Sequence, residues 1–221
     1  MKRNKLCQGF QVFITALFIF TITASAAFAA QPAISKSGDN LNVFVPAGWK
    51  IMEEAKGDLN KDGIPDAVLI LKNSAEEKDG VNTTDMRRLL VIVLGTPAGG
   101  YSLSAISEEA ILCKDCGGIF GEPFAGIKIA RGVIVVEHYG GSNQRWGYTH
   151  RWRYQDGDWC LIGLTNRADD LGAETSEVTD INLVTGDSVV EKTGASGKPK
   201  SIRSKVPVKA VQKLSTFTFQ Y

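Results

Sequence analysis

The chain has 221 residues, of which 22% are charged and 43% hydrophobic, and its formal net charge is +1. So small a net charge gives no indication of nucleic acid as the main partner. The length allows one domain with a sizeable core, or at most two small ones.

The first 30 residues have the pattern of a cleavable secretory signal. A start with three basic residues precedes the apolar run Val12–Ile22, and a small-residue cleavage site follows. That run is too short to span a bilayer, so we expect residues 1–30 to be cleaved near Ala29–Ala30. The mature protein is then periplasmic or secreted, with no transmembrane segment. Cleavage removes three positive charges and no negative one, so the formal charge falls from +1 to −2.

An acidic stretch between residues 58 and 66 predicts a calcium loop that leads into a strand. Oxygen-bearing side chains recur on alternate residues, and Gly63 stands where the backbone must turn sharply. Calcium binds six to eight such hard oxygen ligands. The predicted ligands are Asp58, Asn60, Asp62, the carbonyl of Ile64, and Asp66.

The spacing D-x-N-x-D-G-x-x-D resembles the calcium loops of integrin-type FG-GAP and VCBS repeats, which join two β-strands. An EF-hand would need a Glu where Leu69 stands, and a helix after the loop. The alternative is an acidic turn without an ion, because Asp, Asn and Gly also dominate turns for local reasons. Either way, we expect a structural rather than a catalytic site.

Short alternating or continuous apolar runs predict a succession of strands and a mainly β, antiparallel meander, sandwich or partial propeller-like sheet with few short helices. The run Arg87–Leu94 is nearly continuous, which predicts a strand covered on both faces that pairs with Ala67–Leu71. The other strands predicted before residue 140 are Leu41–Val45, Trp49–Met52, Tyr101–Ile106, Ile127–Ile129 and Val133–Tyr139.

Residues Arg145–Tyr154 alternate without a break between an aromatic and a mainly cationic face. Asp156-Gly157 is a strong hairpin signal, so Trp152 should pair with Leu161 and Tyr154 with Trp159. The aromatic face is either the core of the sheet or an exposed binding surface.

Beyond Leu164 the sequence becomes more polar. We expect a loop over residues 166–178 and then a hairpin, Asp180–Val184 with Ser188–Val190. Residues 192–221 carry seven Lys or Arg and no Asp or Glu, which indicates a basic tail. The expected organisation is therefore a signal peptide (1–30), a calcium-loop β domain (31–191) and a basic C-terminal tail (192–221).

The mature segment has three cysteines, Cys113, Cys116 and Cys160, in an oxidising compartment. A local or cross-strand disulfide with one buried thiol left over is the favoured interpretation. A redox centre or a zinc site is the alternative, but one C-x-x-C without a thioredoxin-like context or a second pair is weak support.

Most of the mature chain resembles secreted bacterial proteins of uncharacterised function that join one such calcium loop to a β meander. The shared motifs are Cys-x-Asp-Cys-Gly-Gly, His-Tyr-Gly-Gly-Ser and Arg-Tyr-Gln, which begin here at Cys113, His138 and Arg153. The resemblance implies a fold and supplies no catalytic residues.

Three functions are compatible with these patterns. The first is a binding module for a glycan, peptide or envelope component, with His138, Ser142, Arg145 and Trp146 as candidate contacts. The second is a hydrolase using His138 and Ser142, although no G-x-S-x-G motif accompanies them. The third is a structural envelope protein whose basic tail touches an anionic surface. We assign no catalytic residue.

Overall fold

The structure is a computed structural model that describes residues 32–208 and 211–219. The predicted signal peptide and its cleavage site lie outside the described residues. Among the residues that are described, no helix has the length and apolar character needed to cross a membrane.

The first half of the described chain forms a five-stranded antiparallel sheet in the order β1-β5-β4-β3-β2. The predicted pairing of the two most apolar strands, β3 and β4, is confirmed, with Leu69 opposite Val91. The strands are β1 (Ser37–Gly38), β2 (Trp49–Gly57), β3 (Asp66–Asn73), β4 (Leu89–Gly95) and β5 (Tyr101–Ser107).

The second half forms a seven-stranded sheet in which every strand pairs with its neighbour in sequence. This antiparallel meander confirms the predicted mainly β fold class. The strands are β6 (Phe124–Ala130), β7 (Val133–Gly141), β8 (Gln144–Gln155), β9 (Asp158–Asp170), β10 (Thr175–Asn182), β11 (Asp187–Thr193) and β12 (Pro199–Lys205).

Two hydrophobic clusters explain the apolar strands. One contains Val68 and Ile92 from the first sheet together with Val136 and Trp152 from the second. The other cluster lies on the opposite face of the first sheet, where Phe44 packs with Leu69 and its neighbours. Strands β3 and β4 are therefore buried on both faces, as the continuous apolar run predicts.

The β8–β9 hairpin has the predicted register, because Trp152 lies opposite Leu161 and Tyr154 opposite Trp159. Trp152 is 1% exposed. Its ring packs edge-on against Phe217, with 5.0 Å between the ring centroids. This part of the aromatic face is therefore core.

The prediction of a strand over Leu41–Val45 is wrong, because Leu41–Phe44 forms a 3₁₀ turn. The Asn40 side chain accepts a hydrogen bond from the Asn42 backbone N–H at 3.1 Å and caps the turn. A period of three places Leu41 and Phe44 on one side, against the second cluster.

The predicted loop over residues 166–178 is mostly strand, because β9 continues to Asp170 and β10 begins at Thr175. None of residues 165–170 is buried core, so nothing there requires apolar side chains. The prediction of a loop was wrong for these residues because it took their polar sequence as a sign that no strand forms.

The segment predicted as a basic tail contains ordered structure. Strand β12 is exposed along its whole length and pairs with β11. Farther on, the C-terminal strap, defined here as residues 211–219, places Leu214 and Phe217 in the core. Leu214 is 2% and Phe217 6% exposed.

The cysteines pair locally, with a disulfide between Cys113 and Cys116. Cys160 is a buried free thiol. A local disulfide with one buried thiol is one of the two forms of the favoured interpretation of the sequence. Burial raises the pKa of the Cys160 thiol.

Candidate functional site

The predicted calcium loop connects β2 to β3, and its side chains fold back over its own backbone. Asp58 accepts hydrogen bonds from the backbone N–H groups of Lys61 at 2.6 Å and Gly63 at 3.1 Å. Asn60 and Asp62 accept in the same way from residues two positions further on. Gly63 has φ +81°, a conformation that glycine adopts without strain.

Asp66 lies deeper than the other predicted ligands. Its two carboxylate oxygens accept backbone hydrogen bonds from Leu59 at 2.7 Å and from Gly95 at 2.8 Å. The residue is fully buried. Asp66 therefore ties the loop to the end of β4, whatever else it binds.

The donor chemistry of this loop fits calcium, because all five predicted ligands are oxygens. An oxygen that accepts one N–H bond keeps a second lone pair for a cation. Within the described part of the chain, no group of three or more His, Cys, Asp or Glu side chains is arranged to hold a metal. The structure therefore does not gather the carboxylates of Asp58, Asp62 and Asp66 into a metal-binding group.

A second candidate site lies at one end of the seven-stranded sheet, where three turns meet. Gly141 N–H donates to the carbonyl of Gly117 at 3.0 Å, which joins the β7–β8 turn to loop 117–121. Leu171 N–H donates to the carbonyl of Asn143 at 3.0 Å, which adds the β9–β10 turn. These turns expose Ile119, Phe120 and Leu171.

Arg145 lies at the centre of this end. It lies opposite Asp169 on the neighbouring strand, and its Nη1 donates to the Tyr139 hydroxyl at 3.2 Å. Its guanidinium carbon lies 5.3 Å from the centre of the Phe120 ring. The buried Nε of Arg145 has no hydrogen-bond partner among the described residues.

The carboxylate of Asp169 is held by Arg167, whose Nε donates to Oδ2 at 2.7 Å. Burial would raise the pKa of Asp169, but hydrogen bonds from the side chains of Arg167 and Ser176, together with the charges of Arg167 and Arg145, bring it below its usual value. The buried Oδ1 of Asp169 accepts no hydrogen bond of normal length and angle from the described residues. Asp169 is therefore an ionised acceptor at neutral pH.

We call Tyr139, Arg145, Arg167 and Asp169 the sheet-end site. These four residues line a cavity of about 610 Å³. An adjoining hollow of about 460 Å³ shares Arg145 and Asp169. Both volumes lie in the range of small-ligand pockets.

His138 and Ser142 are not brought together. His138 is 2% exposed, and its Nε2 accepts a hydrogen bond from Leu112 N–H at 3.3 Å. Desolvation, with the nearby His150 and Arg88, lowers the pKa of His138 to about 3. Ser142 is exposed in the turn, four residues or roughly 13 Å further along the extended chain.

Trp146 is half-buried on the face opposite Arg145. It packs beside Tyr148 with ring centroids 5.3 Å apart. A Cβ on Gly140 would lie 2.4 Å from this indole, so the glycine allows Trp146 to cover the backbone of β7. Of the four predicted ligand contacts, Arg145 alone lines the two cavities of this end.

Sequence reasoning did not assign Tyr139, Arg167 or Asp169. The alternation of Arg167 and Asp169 was a usable signal, because it continues the outward-facing row of β9. Reading residues 166–178 as a loop hid that row. Tyr139 lies inside the His-Tyr-Gly-Gly-Ser motif, where only the histidine and serine were considered.

Comparisons of the chain with protein-family models, with curated proteins and with solved structures find no match.

Proposed function

We propose that this protein is an exported β domain, stabilised by calcium, that binds an acidic glycan at the sheet-end site. The observation that carries the proposal is the buried, unpartnered Nε of Arg145 beside a cavity of about 610 Å³. The hydrogen bond from Arg145 Nη1 to the Tyr139 hydroxyl uses one of the five N–H donors of the guanidinium.

The charges of the site favour a ligand with one carboxylate. Arg167 and Asp169 neutralise each other at 2.7 Å, whereas Arg145 forms no ion pair of this kind with the residues that the structure describes. Arg145 would bind a ligand carboxylate through charge-assisted hydrogen bonds. The Asp169 carboxylate would accept a ligand hydroxyl through a remaining lone pair.

The surroundings favour a sugar ring as the body of the ligand. Exposed Phe120 and Leu171 flank the polar groups and offer apolar surface to the C–H face of a sugar. A uronic acid combines a carboxylate, hydroxyls and such a face. We therefore propose a uronate-containing glycan of the cell envelope or its surroundings.

Calcium belongs to this proposal as a structural ion. Asp58, Asn60, Asp62, the carbonyl of Ile64 and Asp66 would hold it, and the ion would offset the repulsion between the carboxylates. Asp66 also binds the end of β4 through Gly95 N–H, so ordering the loop would order that strand end.

The test is calorimetric titration of the mature protein with tri-galacturonate and with the uncharged trisaccharide. We expect only the uronate to bind, and Arg145→Ala to weaken binding at least about tenfold, because a charge-assisted bond is lost. Arg151→Ala is the matched control on the same face of β8, where Arg151 already pairs with Asp180 at 3.1 Å. Equal affinity of the wild type and Arg145→Ala would refute the assignment.

A second candidate is the structural envelope protein, which the exposed basic strand β12 favours. Lys200, Arg203 and Lys205 lie on this strand, and all of its residues are exposed. Sedimentation with vesicles rich in anionic lipid would detect such a contact, and it should disappear as salt is raised. The hydrolase alternative has no comparable support, since His138 is buried and bonded to Leu112.

A further inference from the structure

The cavity beneath the C-terminal strap is a separate candidate ligand site. It has a volume of about 310 Å³ and lies between the aromatic face of β8 and β9 and the strap. Tyr148, His150 and Asn166 line it from the sheet, and Gln212 and Phe217 from the strap. None of these residues belongs to the sheet-end site.

Two buried polar atoms of lining residues have no hydrogen-bond partner within the described part of the chain. His150 is 5% exposed, and its buried Nδ1 is unpartnered among the described residues. The buried Oδ1 of Asn166 is unpartnered as well. Asn166 lies opposite Tyr148 and His150 opposite Leu164, so both polar groups are on the same face. Buried polar groups normally find a partner, so this pair indicates a missing donor or acceptor.

The other described residues of the lining are uncharged and include aromatic rings, two leucines and the neutral polar side chains of Gln212 and Thr218. His150 stacks on Tyr148 at 6.2 Å between ring centroids, and Phe217 meets His150 edge-on at 5.2 Å. Desolvation lowers the pKa of His150 to about 4, so the imidazole is neutral at pH 7. A charged ligand would lose its hydration here without gaining a counter-charge.

We propose that this cavity binds a small uncharged aromatic compound with a hydroxyl group, a phenol, by hydrogen bonds to Asn166 Oδ1 and His150 Nδ1. A hydroxyl has one donor hydrogen and acceptor lone pairs, so it donates to the Asn166 amide oxygen and accepts from the Nδ1–H tautomer of His150. The ring lies among Tyr148, Phe217 and Leu164, and the volume is at the small end of ligand pockets.

The C-terminal strap forms one wall of this cavity, and two contacts fix it to β9. Leu161 N–H donates to the carbonyl of Gln212 at 2.9 Å. Lys213 pairs with Asp158 at 3.0 Å. These contacts hold Phe217 over the cavity, so a ligand beneath the strap should also protect it from proteolysis.

The test is titration of the full mature protein with 4-methylphenol, toluene and 4-methylbenzoate in separate experiments. Binding is monitored by changes in amide NMR shifts and in Trp fluorescence. We expect saturable binding of the phenol, at least about tenfold weaker binding of toluene and no saturable binding of the benzoate. Asn166→Leu should weaken phenol binding at least about tenfold. Thr179→Val is the control, because Thr179 lies opposite Asn166 on β10 but does not line the cavity.

A filling variant keeps the proposal testable if Asn166→Leu does not fold. Leu164→Phe adds volume to the lining without removing a polar group, and it should abolish binding. The proposal is overturned if the phenol does not bind, if toluene binds equally well, or if the filling variant binds like the wild type. Absence of phenol binding would mean that ordered water alone fills the cavity. Equal binding of toluene would mean that the polar pair does not select the ligand, and unchanged binding by the filling variant would mean that the phenol binds elsewhere.

Discussion

The two histidines of this chain are buried, neutral parts of an aromatic layer. His138 is enclosed by Phe124 and Phe219, whose rings it meets edge-on. His150 stacks between Tyr148 and Trp152. Their pKa values are lowered, mainly by desolvation, to about 3 and about 4. Both therefore make stability depend on pH.

Stability should fall as pH is lowered from 6.5 towards 4. The unfolded chain binds protons at histidine near pH 6.5, whereas the folded chain binds them only at lower pH, so the contribution is complete above pH 6.5. Between pH 6.5 and 5 the two residues together should cost on the order of 3 kcal/mol. Urea unfolding at pH 7.5, 6.5 and 5 measures this. A His150→Phe variant should show a smaller change over that range, and an unchanged wild-type midpoint would contradict the burial of both rings.

Trp152 and Arg151 are adjacent residues with opposite environments. Trp152→Ala should destabilise the protein by about 3–5 kcal/mol, because it deletes a large core side chain. Arg151→Ala loses a partly exposed ion pair with Asp180 and should cost no more than about 1 kcal/mol. Chemical denaturation of both variants gives the comparison. Similar small losses at the two positions would mean that the aromatic face is open.

At the scale of elements, loop 58–66 joins the edge strand β2 to the interior strand β3 and is anchored to the central strand β4 through Asp66. Its acidic side chains are satisfied largely by backbone N–H groups of the same loop. The loop thus has a defined shape that an ion would reinforce, and it lies far along the chain from the residues of the sheet-end site.

Calcium should raise the melting temperature of the mature protein, and excess chelator should lower it, because the ion binds the folded loop in preference to the unfolded chain. Asp62→Ala should remove most of that dependence. Asp79→Ala is a control at an exposed acidic residue outside the loop. Identical melting in calcium and chelator would contradict the calcium prediction and leave an acidic turn.

At the scale of the whole molecule, the C-terminal strap closes the core between the sheets. Leu214 and Phe217 belong to the same cluster as Val68 from the first sheet and Trp152 from the second. Residues that are distant in sequence thus complete one core, and a stable fold should require the strap.

Leu214→Ala should cost about 2–5 kcal/mol as a buried deletion. Leu171→Ala, at a leucine that is 46% exposed, should stay within about 0.5 kcal/mol of the wild type. Thermal or urea unfolding of the two variants decides the point. Equal stability of the two would show that the strap does not close the core.

The sequence alone was sufficient for features governed by local chemistry or by period-two alternation. The Asp156-Gly157 turn placed Trp152 opposite Leu161, since a two-residue turn sets the register of the strands that it joins. The continuous apolar run of β4 indicated burial on both faces. The three cysteines indicated one disulfide, local or cross-strand, with a buried thiol left over, and the structure contains the local one between Cys113 and Cys116.

The tertiary structure decided what depends on contacts between distant segments. Whether the aromatic face of β8 was core or surface depended on the C-terminal strap. Leu214 and Phe217 of the strap pack in the core cluster with Trp152, and nothing in the local sequence of the strap indicates that it packs there. The polar end of β9, residues 165–170, and β10 form strands through pairing with each other, where no buried face imposes an apolar pattern. The sheet-end site required the pairing of β8 with β9, since only that register places Arg145 opposite Asp169, 24 positions away in the chain.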